Sequence, residues 1–312
     1  MWFSKTWNPD GLHIYITGGS TGLGLSLALI LASQGAHVSI VGRNQARLNE
    51  ALQAIEKCRK RPDQLFAVYS FDLSTYAGSA DALGAVCKAH DDRSPDAIFN
   101  CAGSSKPMFL VNMTEHDMSA GMIQGYWVQA WTTMLAAKRM VREGAKGKIV
   151  LVSSTLGYMS FVGYASYSPA KHALRGLADT LQSEFMLYDG LDVHVFFPPT
   201  MFTPGYEEEN KTKPKITRHI ESTDGGLTAD EAARALLEGI RRGHAHITGD
   251  IITSLFRAST RGVAPRHNVL LDIVYDFAAA IIAPIWRNGV DKRVRAHRGE
   301  HQQHLRDSGF FL

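Results

Sequence analysis

Three side chains in the middle of the chain are suited to moving a proton on or off an alcohol oxygen: Ser154, Tyr167 and Lys171. Residues four apart on a helix lie on one face, so a helix here would put the Lys171 ammonium beside the Tyr167 phenol. A nearby cation favours the phenolate, and we expect it to lower the pKa of Tyr167 from about 10 towards the working pH. Ser154, at the end of a preceding predicted strand, could hydrogen-bond a carbonyl oxygen. None of the three can supply a hydride, so the chain must also bind a cofactor that does.

The N-terminal part of the chain contains a pattern suited to a dinucleotide. An apolar run at residues 12–16 predicts a buried strand, followed by a glycine-rich segment and an apolar helix over residues 25–32. Such a turn presents backbone N–H groups and the positive helix end to a pyrophosphate. A plain tight turn is the alternative, but a second predicted strand at residues 36–41 favours the dinucleotide site. The candidate cofactor residues in the turn are Gly18, Ser20, Thr21, Gly22, Leu23 and Gly24.

The residues after the second predicted strand bear on the choice of cofactor. An acidic residue there would accept a hydrogen bond from a ribose 2′-hydroxyl and repel a 2′-phosphate. The chain has Arg43 instead, with Arg47 one turn later. A guanidinium is a good phosphate ligand, so the pattern favours NADPH/NADP+ over NAD. The alternative is two solvated surface arginines.

Two further strand ends would complete the cofactor site. Asp72 and Leu73 follow a predicted strand at residues 65–71, and we expect them to contact the adenine. Asn100 follows a predicted strand at residues 97–99 and would line the cofactor at the next strand end.

Strands and helical stretches alternate along the chain, with further strands predicted at residues 147–153 and 191–197. Parallel strands need helical crossovers, so this alternation predicts an α/β fold with a single doubly wound parallel sheet, the Rossmann fold. We assign residues 1–250 to a catalytic, NADP(H)-binding domain. Residues 251–312 are assigned to a helical C-terminal extension.

Composition excludes several classes of protein. A net charge of +3, without basic residues massed in one stripe, does not indicate nucleic-acid binding. Cys58, Cys87 and Cys101 are widely spaced, which disfavours a disulfide framework or a zinc site. Histidines recur at helical spacing near the C-terminus, in a polar stretch that we interpret as a solvated tail without a metal. They are His297, His301 and His304.

The extension contains an 18-residue apolar stretch, Val269–Trp286, close to the length that spans a bilayer. Asp272 and Asp276 inside it make a full span costly. We expect an amphipathic or re-entrant helix with both aspartates on its wet face, followed by a basic interfacial cluster. That cluster would comprise Arg287, Lys292, Arg293, Arg295 and Arg298. A helix that packs on the domain or on another subunit is the alternative.

Four segments together resemble the short-chain dehydrogenase/reductase family: TGGSTGLG at 17–24, NCAG at 100–103, SS at 153–154 and YSPAK at 167–171. The resemblance spans roughly residues 11–203. It implies that Tyr167 is the general acid, that Lys171 lowers its pKa and holds the nicotinamide ribose, and that Ser154 positions the substrate oxygen. Many members also carry an asparagine near the position of Gly125 or Tyr126, and this chain does not.

Residues 198–214, PPTMFTPGYEEENKTKP, are similar to a narrower group, the 3-ketodihydrosphingosine (3-ketosphinganine) reductases. This resemblance implies a long-chain sphingoid-base ketone as substrate, reduced with NADPH at the cytosolic face of the endoplasmic reticulum membrane. The charged run would lie where a substrate lid is expected, and Thr203 is assigned to the cofactor site.

Two rival functions stay open on sequence grounds. One is a reductase of the same family that acts on another lipid, steroid or retinoid ketone. The other is a nucleotide-sensing scaffold, because a fold does not fix a function. The family resemblance also leads us to expect a homodimer or homotetramer.

Overall fold

The computed structural model describes residues 7–222 and 225–310. A parallel sheet of seven strands, in the order β3-β2-β1-β4-β5-β6-β9, forms its centre, and β7 pairs with β8 in a small second sheet. The strands β1 to β9 are His13–Thr17, His37–Gly42, Phe66–Ser70, Ala97–Asn100, Gly147–Val152, Leu191–Phe197, Thr200–Phe202, Gly226–Thr228 and His246–Thr248. The predicted doubly wound parallel sheet is confirmed, and β7, β8 and β9 are strands that the sequence patterns did not predict.

Helices cover both faces of the central sheet. The helices α1 to α12 are Gly22–Ser33, Gln45–Glu56, Tyr76–Lys88, Glu115–Met122, Val128–Glu143, Ser168–Glu184, Pro204–Thr212, Lys215–Glu221, Ala229–Arg241, Ile251–Ser259, Val269–Ala296 and Arg298–Asp307. Side chains of α1, α2 and α9 form one apolar core, and those of α3, α5 and α6 form another. Successive strand residues point to opposite faces, so Ile14 and Ile16 enter the first core and Tyr15 the second.

The strand order reverses at β1, which pairs with β2 on one side and β4 on the other. Loops leave the carboxyl ends of β1 and β4 in opposite directions, because the following helices cross to opposite faces. A crevice opens between them, and this is where ligands bind in open α/β sheets. Thr17 and Asn100 are register partners at this point, so the fold brings the two predicted cofactor segments together.

A buried ion pair holds α11 on the body of the protein. Asp272 is fully buried and accepts from the Arg257 guanidinium of α10 and, at 3.2 Å, from the His267 N–H. Burial alone would raise the pKa of Asp272, but the contacts with Arg257 outweigh it and lower the pKa. The expectation that Asp272 lies on a wet face is therefore wrong, because Arg257 compensates its charge inside the protein. Asp276 is partly exposed and pairs with Arg261 at 3.4 Å.

The opposite side of α11 is apolar and exposed. We call the side chains at its centre the apolar stripe; they recur every three or four residues, as one helix face requires. The stripe consists of Leu270, Val274, Phe277, Ile281 and Ile285. The helix α11 is long and apolar enough to cross a membrane. Only 11% of its most apolar 18-residue stretch is buried in the protein.

Two of the three C-terminal histidines, His297 and His301, are partly buried, whereas His304 is exposed as expected of a solvated tail. All three surround Phe109, with ring centroids 4.2 Å away for His301 and 6.4 Å away for His297 and His304. His297 and His301 are partly buried because an imidazole ring has an apolar face that can pack on an aromatic ring such as that of Phe109. Within residues 7–222 and 225–310, no group of three or more His, Cys, Asp or Glu side chains is arranged to hold a metal ion.

We predict that Asp272→Ala lowers the free energy of unfolding by about 3–5 kcal/mol, because it leaves the Arg257 charge buried without a partner. Asp276→Ala, one turn further along the same helix, removes a partner that is more exposed and should cost less than about 1 kcal/mol. Urea unfolding followed by circular dichroism measures both. Equal losses in the two variants would show that the buried pair does not anchor α11.

Candidate active site

A cavity of about 630 Å³ opens at the carboxyl ends of β4, β5 and β6. Its wall includes residues 101–103 after β4, residues 153–156 after β5 and residues 198–201 after β6. Seven of the predicted site residues line this cavity: Thr21, Arg43, Arg47, Ser154, Tyr167, Lys171 and Thr203. The structure therefore brings the proton-transfer candidates and part of the predicted cofactor site into one space.

The two serines after β5 have different partners. The Ser153 hydroxyl is buried and donates to the Lys171 carbonyl at 2.9 Å, so it fixes α6 against the sheet. The Ser154 hydroxyl accepts from the Leu156 N–H at 3.2 Å, and it is close enough to the Tyr167 phenol to lower the pKa of that group. Ser154 is therefore the serine in a position to share a carbonyl oxygen with Tyr167.

Tyr167 and Lys171 lie at the start of α6, with Tyr167 as its N-cap and Pro169 in its first turn. Proline is tolerated there because the first N–H groups have no partner within the helix. The Lys171 Nζ lies 5.3 Å from the centre of the Tyr167 ring. The predicted placement on one helix face is thus present, although the two polar groups are not in direct contact.

The expected direction of the Tyr167 pKa shift is wrong for this structure. Burial raises the pKa of Tyr167 above its ordinary value, and the negative charge of Glu209 raises it further. The hydrogen bond from Ser154 acts in the opposite direction but does not outweigh them. A phenol that keeps its proton is suited to donating one, which is the role of an acid in the reduction of a ketone.

Lys171 is held by a backbone group at the end of β5. Its Nζ donates to the Val152 carbonyl at 2.9 Å, and the side chain is almost fully buried. Burial lowers the pKa of Lys171 to about 8. Gln129 of α5 donates to the same carbonyl at 2.9 Å and accepts from the Val152 N–H at 2.9 Å. Sequence reasoning missed Gln129, which lies with Thr132 and Thr133 on the buried face of α5.

A turn of π-helix, Ile123–Trp127, joins α4 to α5 where the family asparagine is expected. A Cβ on Gly125 would lie 2.5 Å from the Ala170 Cβ of α6, so the two helices cross too closely for any side chain at that position. The Gln124 carbonyl approaches Gly103 on the cavity wall. π-turns change which carbonyls are bonded within a helix and often occur at functional sites.

The glycine-rich turn forms a cradle of the kind that a pyrophosphate needs. Gly18 has φ of +63°, and a Cβ there would lie 2.9 Å from the Ala102 backbone. The following helix α1 begins without a side-chain cap at Thr21 and has no acidic residue in its first turn. Its first N–H groups therefore face outward for an anion, and a dinucleotide fits the residues present.

The remaining cofactor candidates occupy different positions. Thr203 lies against Gly22 and accepts from the Tyr206 N–H as the N-cap of α7. Asp72 accepts from Ser74, which lowers the pKa of Asp72. Side chains of the other candidates support the fold: Leu23 and Leu73 are in the cores, and Asn100 donates to Thr133 and to the Val150 carbonyl, each at 3.3 Å.

A parallel sheet with a dinucleotide cradle, and a Ser–Tyr–Lys group in the adjoining cavity, define an oxidoreductase that acts on a keto group. Residues 12–214 match the model of the short chain dehydrogenase family, and the chain belongs to that family.

Known relatives are consistent with this assignment. The chain is 40% identical over 308 residues to a 3-ketodihydrosphingosine reductase of Cryptococcus neoformans, covering 99% of this chain and 91% of the relative. It is 30% identical to a 3-ketodihydrosphingosine reductase of Aspergillus fumigatus, over 88% of this chain and 81% of the relative. A short chain dehydrogenase/reductase of Burkholderia phymatum, solved in complex with NAD, has the same fold with a TM-score of 0.72 at 19% identity, over 82% and 95% of the two chains.

Proposed function

We propose that the protein reduces the 3-keto group of 3-ketodihydrosphingosine to the alcohol of dihydrosphingosine, with NADPH, in sphingolipid biosynthesis. One observation carries the proposal: residues 198–214, the segment similar to the sphingoid-base reductases, contribute Glu208 and Glu209 of α7 to the wall of the cavity that also contains Ser154 and Tyr167. The two fungal relatives with that printed activity support it over most of the chain.

Each member of the trio has a role in this reaction. Ser154 hydrogen-bonds the ketone oxygen and orients it. Tyr167 donates its proton to that oxygen as the alcohol forms, and its buried surroundings keep the proton in place until then. Lys171 stabilises the negative charge that develops on the phenol, since an ammonium a few ångströms away in a low-dielectric site favours it.

NADPH would be held by the glycine-rich turn, the first turn of α1 and Lys171, with Arg43 and Arg47 at the 2′-phosphate. When bound it supplies the hydride that the ketone carbon receives. Both arginines line the cavity, and a guanidinium matches the geometry of a phosphate.

Purified protein should oxidise NADPH with 3-ketodihydrosphingosine faster than with a panel of steroid, retinoid and short-chain ketones. Tyr167→Phe, which keeps the ring but has no proton to donate, should lower turnover by roughly 10²–10⁴-fold. Its affinity for NADPH, measured by fluorescence, should be unchanged. Turnover of the panel without turnover of the sphingoid base would identify a reductase for another ketone. NADPH binding with no turnover of any ketone would favour the nucleotide-sensing scaffold.

Arg43→Asp should move the preference from NADPH towards NADH by more than about tenfold, roughly 1.4 kcal/mol. The change removes a phosphate ligand and adds an acceptor for a ribose hydroxyl, while Arg47 retains part of the phosphate affinity. The measurement is the ratio of kcat/KM for the two cofactors. Arg142→Asp, at an exposed position on α5, is the control with the same charge change. If Arg43→Asp leaves the ratio of kcat/KM for NADPH and NADH unchanged, Arg43 does not contact the 2′-phosphate.

We further propose that the protein lies on the cytosolic face of the endoplasmic reticulum membrane, with the apolar stripe of α11 in the lipid. The buried pair between Arg257 and Asp272 favours a helix lying on the surface over one that spans the bilayer. Trp286 follows the last residue of the stripe but faces the protein, where it lines the cavity and contacts Phe256 and Phe161. A long acyl tail could therefore pass from lipid to the site along α11. The homodimer or homotetramer stays a proposal from the family resemblance.

Phe277→Asp with Ile281→Asp should reduce binding to neutral phospholipid vesicles by more than about tenfold in flotation, because each change puts a charge on the apolar stripe. Gln53→Asp, at an exposed position on α2, should have little effect. On vesicles that contain anionic phospholipid, retention of binding by the double variant, together with release of the wild-type protein by high salt, would instead assign the attachment to the basic residues after Trp286.

A further inference from the structure

Four side chains of the cavity region form a cluster that the proposed proton transfer does not use. We call it the carboxylate cluster: Glu209 of α7, Glu221 of α8, Lys213 between them, and Tyr164. The Tyr164 hydroxyl lies 2.8 Å from Glu209 Oε1 and 2.5 Å from Glu221 Oε1. The Lys213 Nζ lies 2.9 Å from Glu209 and 2.6 Å from Glu221. Tyr164, Glu209 and Glu221 all line the cavity.

The carboxylate cluster has an excess of negative charge. It contains two carboxylates and one ammonium, so its formal charge is negative. Tyr164 has a single hydroxyl proton and can donate it to only one of the two carboxylates. The side chains of Glu209 and Glu221 are only 18% and 11% exposed, so water screens this charge poorly. A second cation would balance the cluster.

The cluster lies beside the proton donor. The Tyr164 and Tyr167 rings have centroids 5.9 Å apart, and the charge of Glu209 acts on Tyr167 strongly enough to raise its pKa. Because Ser154, Tyr167, Tyr164 and Glu209 all wall one cavity, a ketone bound by Ser154 and Tyr167 would have the carboxylate cluster beside the atoms bonded to its carbonyl carbon.

The substrate proposed above carries a primary ammonium group on the carbon next to the ketone. We propose that Glu209, supported by Glu221, binds this ammonium and so selects α-amino ketones over ketones that lack the amine. The inference rests on the proposed function for the identity of the substrate. An ammonium with three donors suits a site of partly buried carboxylates, and charge-assisted hydrogen bonds are the strong ones.

A purely structural role is the competing explanation, because Lys213 also ties α7 to α8 through the same two carboxylates. The two roles differ in what they do to substrates. Loss of a structural tie would lower kcat/KM for every ketone by a similar factor. Loss of an ammonium site would lower kcat/KM only for the ketone that carries the amine. A matched pair of substrates therefore separates them.

The experiment compares kcat/KM of the full-length protein for 3-ketodihydrosphingosine and for 1-hydroxyoctadecan-3-one, the same chain without the amine. Glu209→Gln should lower kcat/KM for the amino ketone by roughly 10–100-fold, the range expected for a lost hydrogen bond to a charged group, and for the amine-free ketone by less than about threefold. Glu221→Gln should act in the same direction with a smaller effect. Glu300→Gln removes the 2.8 Å ion pair between α12 and Lys215 of α8 without touching the cavity, and should leave both substrates unaffected.

If Glu209→Gln loses the same factor in kcat/KM for both ketones, the proposal is wrong and the structural tie is the explanation, whatever the melting temperature of the variant. A wild-type protein that reduces both ketones equally well would also overturn the proposal. A wild-type protein that reduces neither ketone contradicts the proposed function instead. In that case the ammonium site is tested by binding: sphinganine should bind the protein–NADP+ complex at least tenfold more tightly than octadecane-1,3-diol, and Glu209→Gln should abolish the difference. Equal binding of the two by the wild-type protein would refute the site.

Discussion

The geometry of the candidate active site depends on one backbone group, the carbonyl of Val152 at the end of β5. It accepts from Lys171 of α6 and from Gln129 of α5, and the Val152 N–H returns a hydrogen bond to the same amide. The positions of α5 and α6 are thus both fixed by hydrogen bonds to the same residue of the sheet. Such hydrogen bonds are strong because that residue is buried, and a shift of β5 would move both helices together. The next two residues, after the strand ends, act on the same helix: Ser153 donates to the Lys171 carbonyl, and Ser154 lies beside Tyr167.

The cavity has opposite charges in different parts of its wall. Arg43 and Arg47 are at the glycine-rich turn, where phosphate groups would lie, and the carboxylates of α7 and α8 are near Tyr167. A cofactor with several negative charges and a substrate with one positive charge would each meet the complementary sign. This arrangement of charge orients the two ligands. It disfavours a complex in which the cofactor and the substrate have exchanged places, because like charges repel strongly in a poorly screened site.

Long apolar strands, the glycine-rich turn and the Tyr–Lys spacing could be predicted from the sequence because each is a local pattern. Strands β7, β8 and β9 could not, since three residues are too few to establish a period. The Tyr167 pKa was predicted in the wrong direction because spacing gives the helix face but neither the burial nor the charge of Glu209, 42 positions away in the chain. Asp272 was misplaced for the same reason: its partner Arg257 is on a different helix. The π-turn at Gly125 depends on the close crossing with Ala170, and no local pattern indicates it.

The buried pair between Arg257 and Asp272 joins two helices of the extension, and α10 is in turn tied to residues 1–250 by the 2.6 Å hydrogen bond between Thr253 and Thr155. Because α11 cannot separate from α10 without leaving a charge unpaired, we expect the extension to unfold together with the part of the protein that α10 contacts. Anything that binds the exposed face of α11 in the native state, and not the unfolded chain, then stabilises the whole unit by mass action. A surface that binds the exposed face of α11 would therefore act as a ligand of the native state. The fraction of folded molecules would rise as more of that surface becomes available.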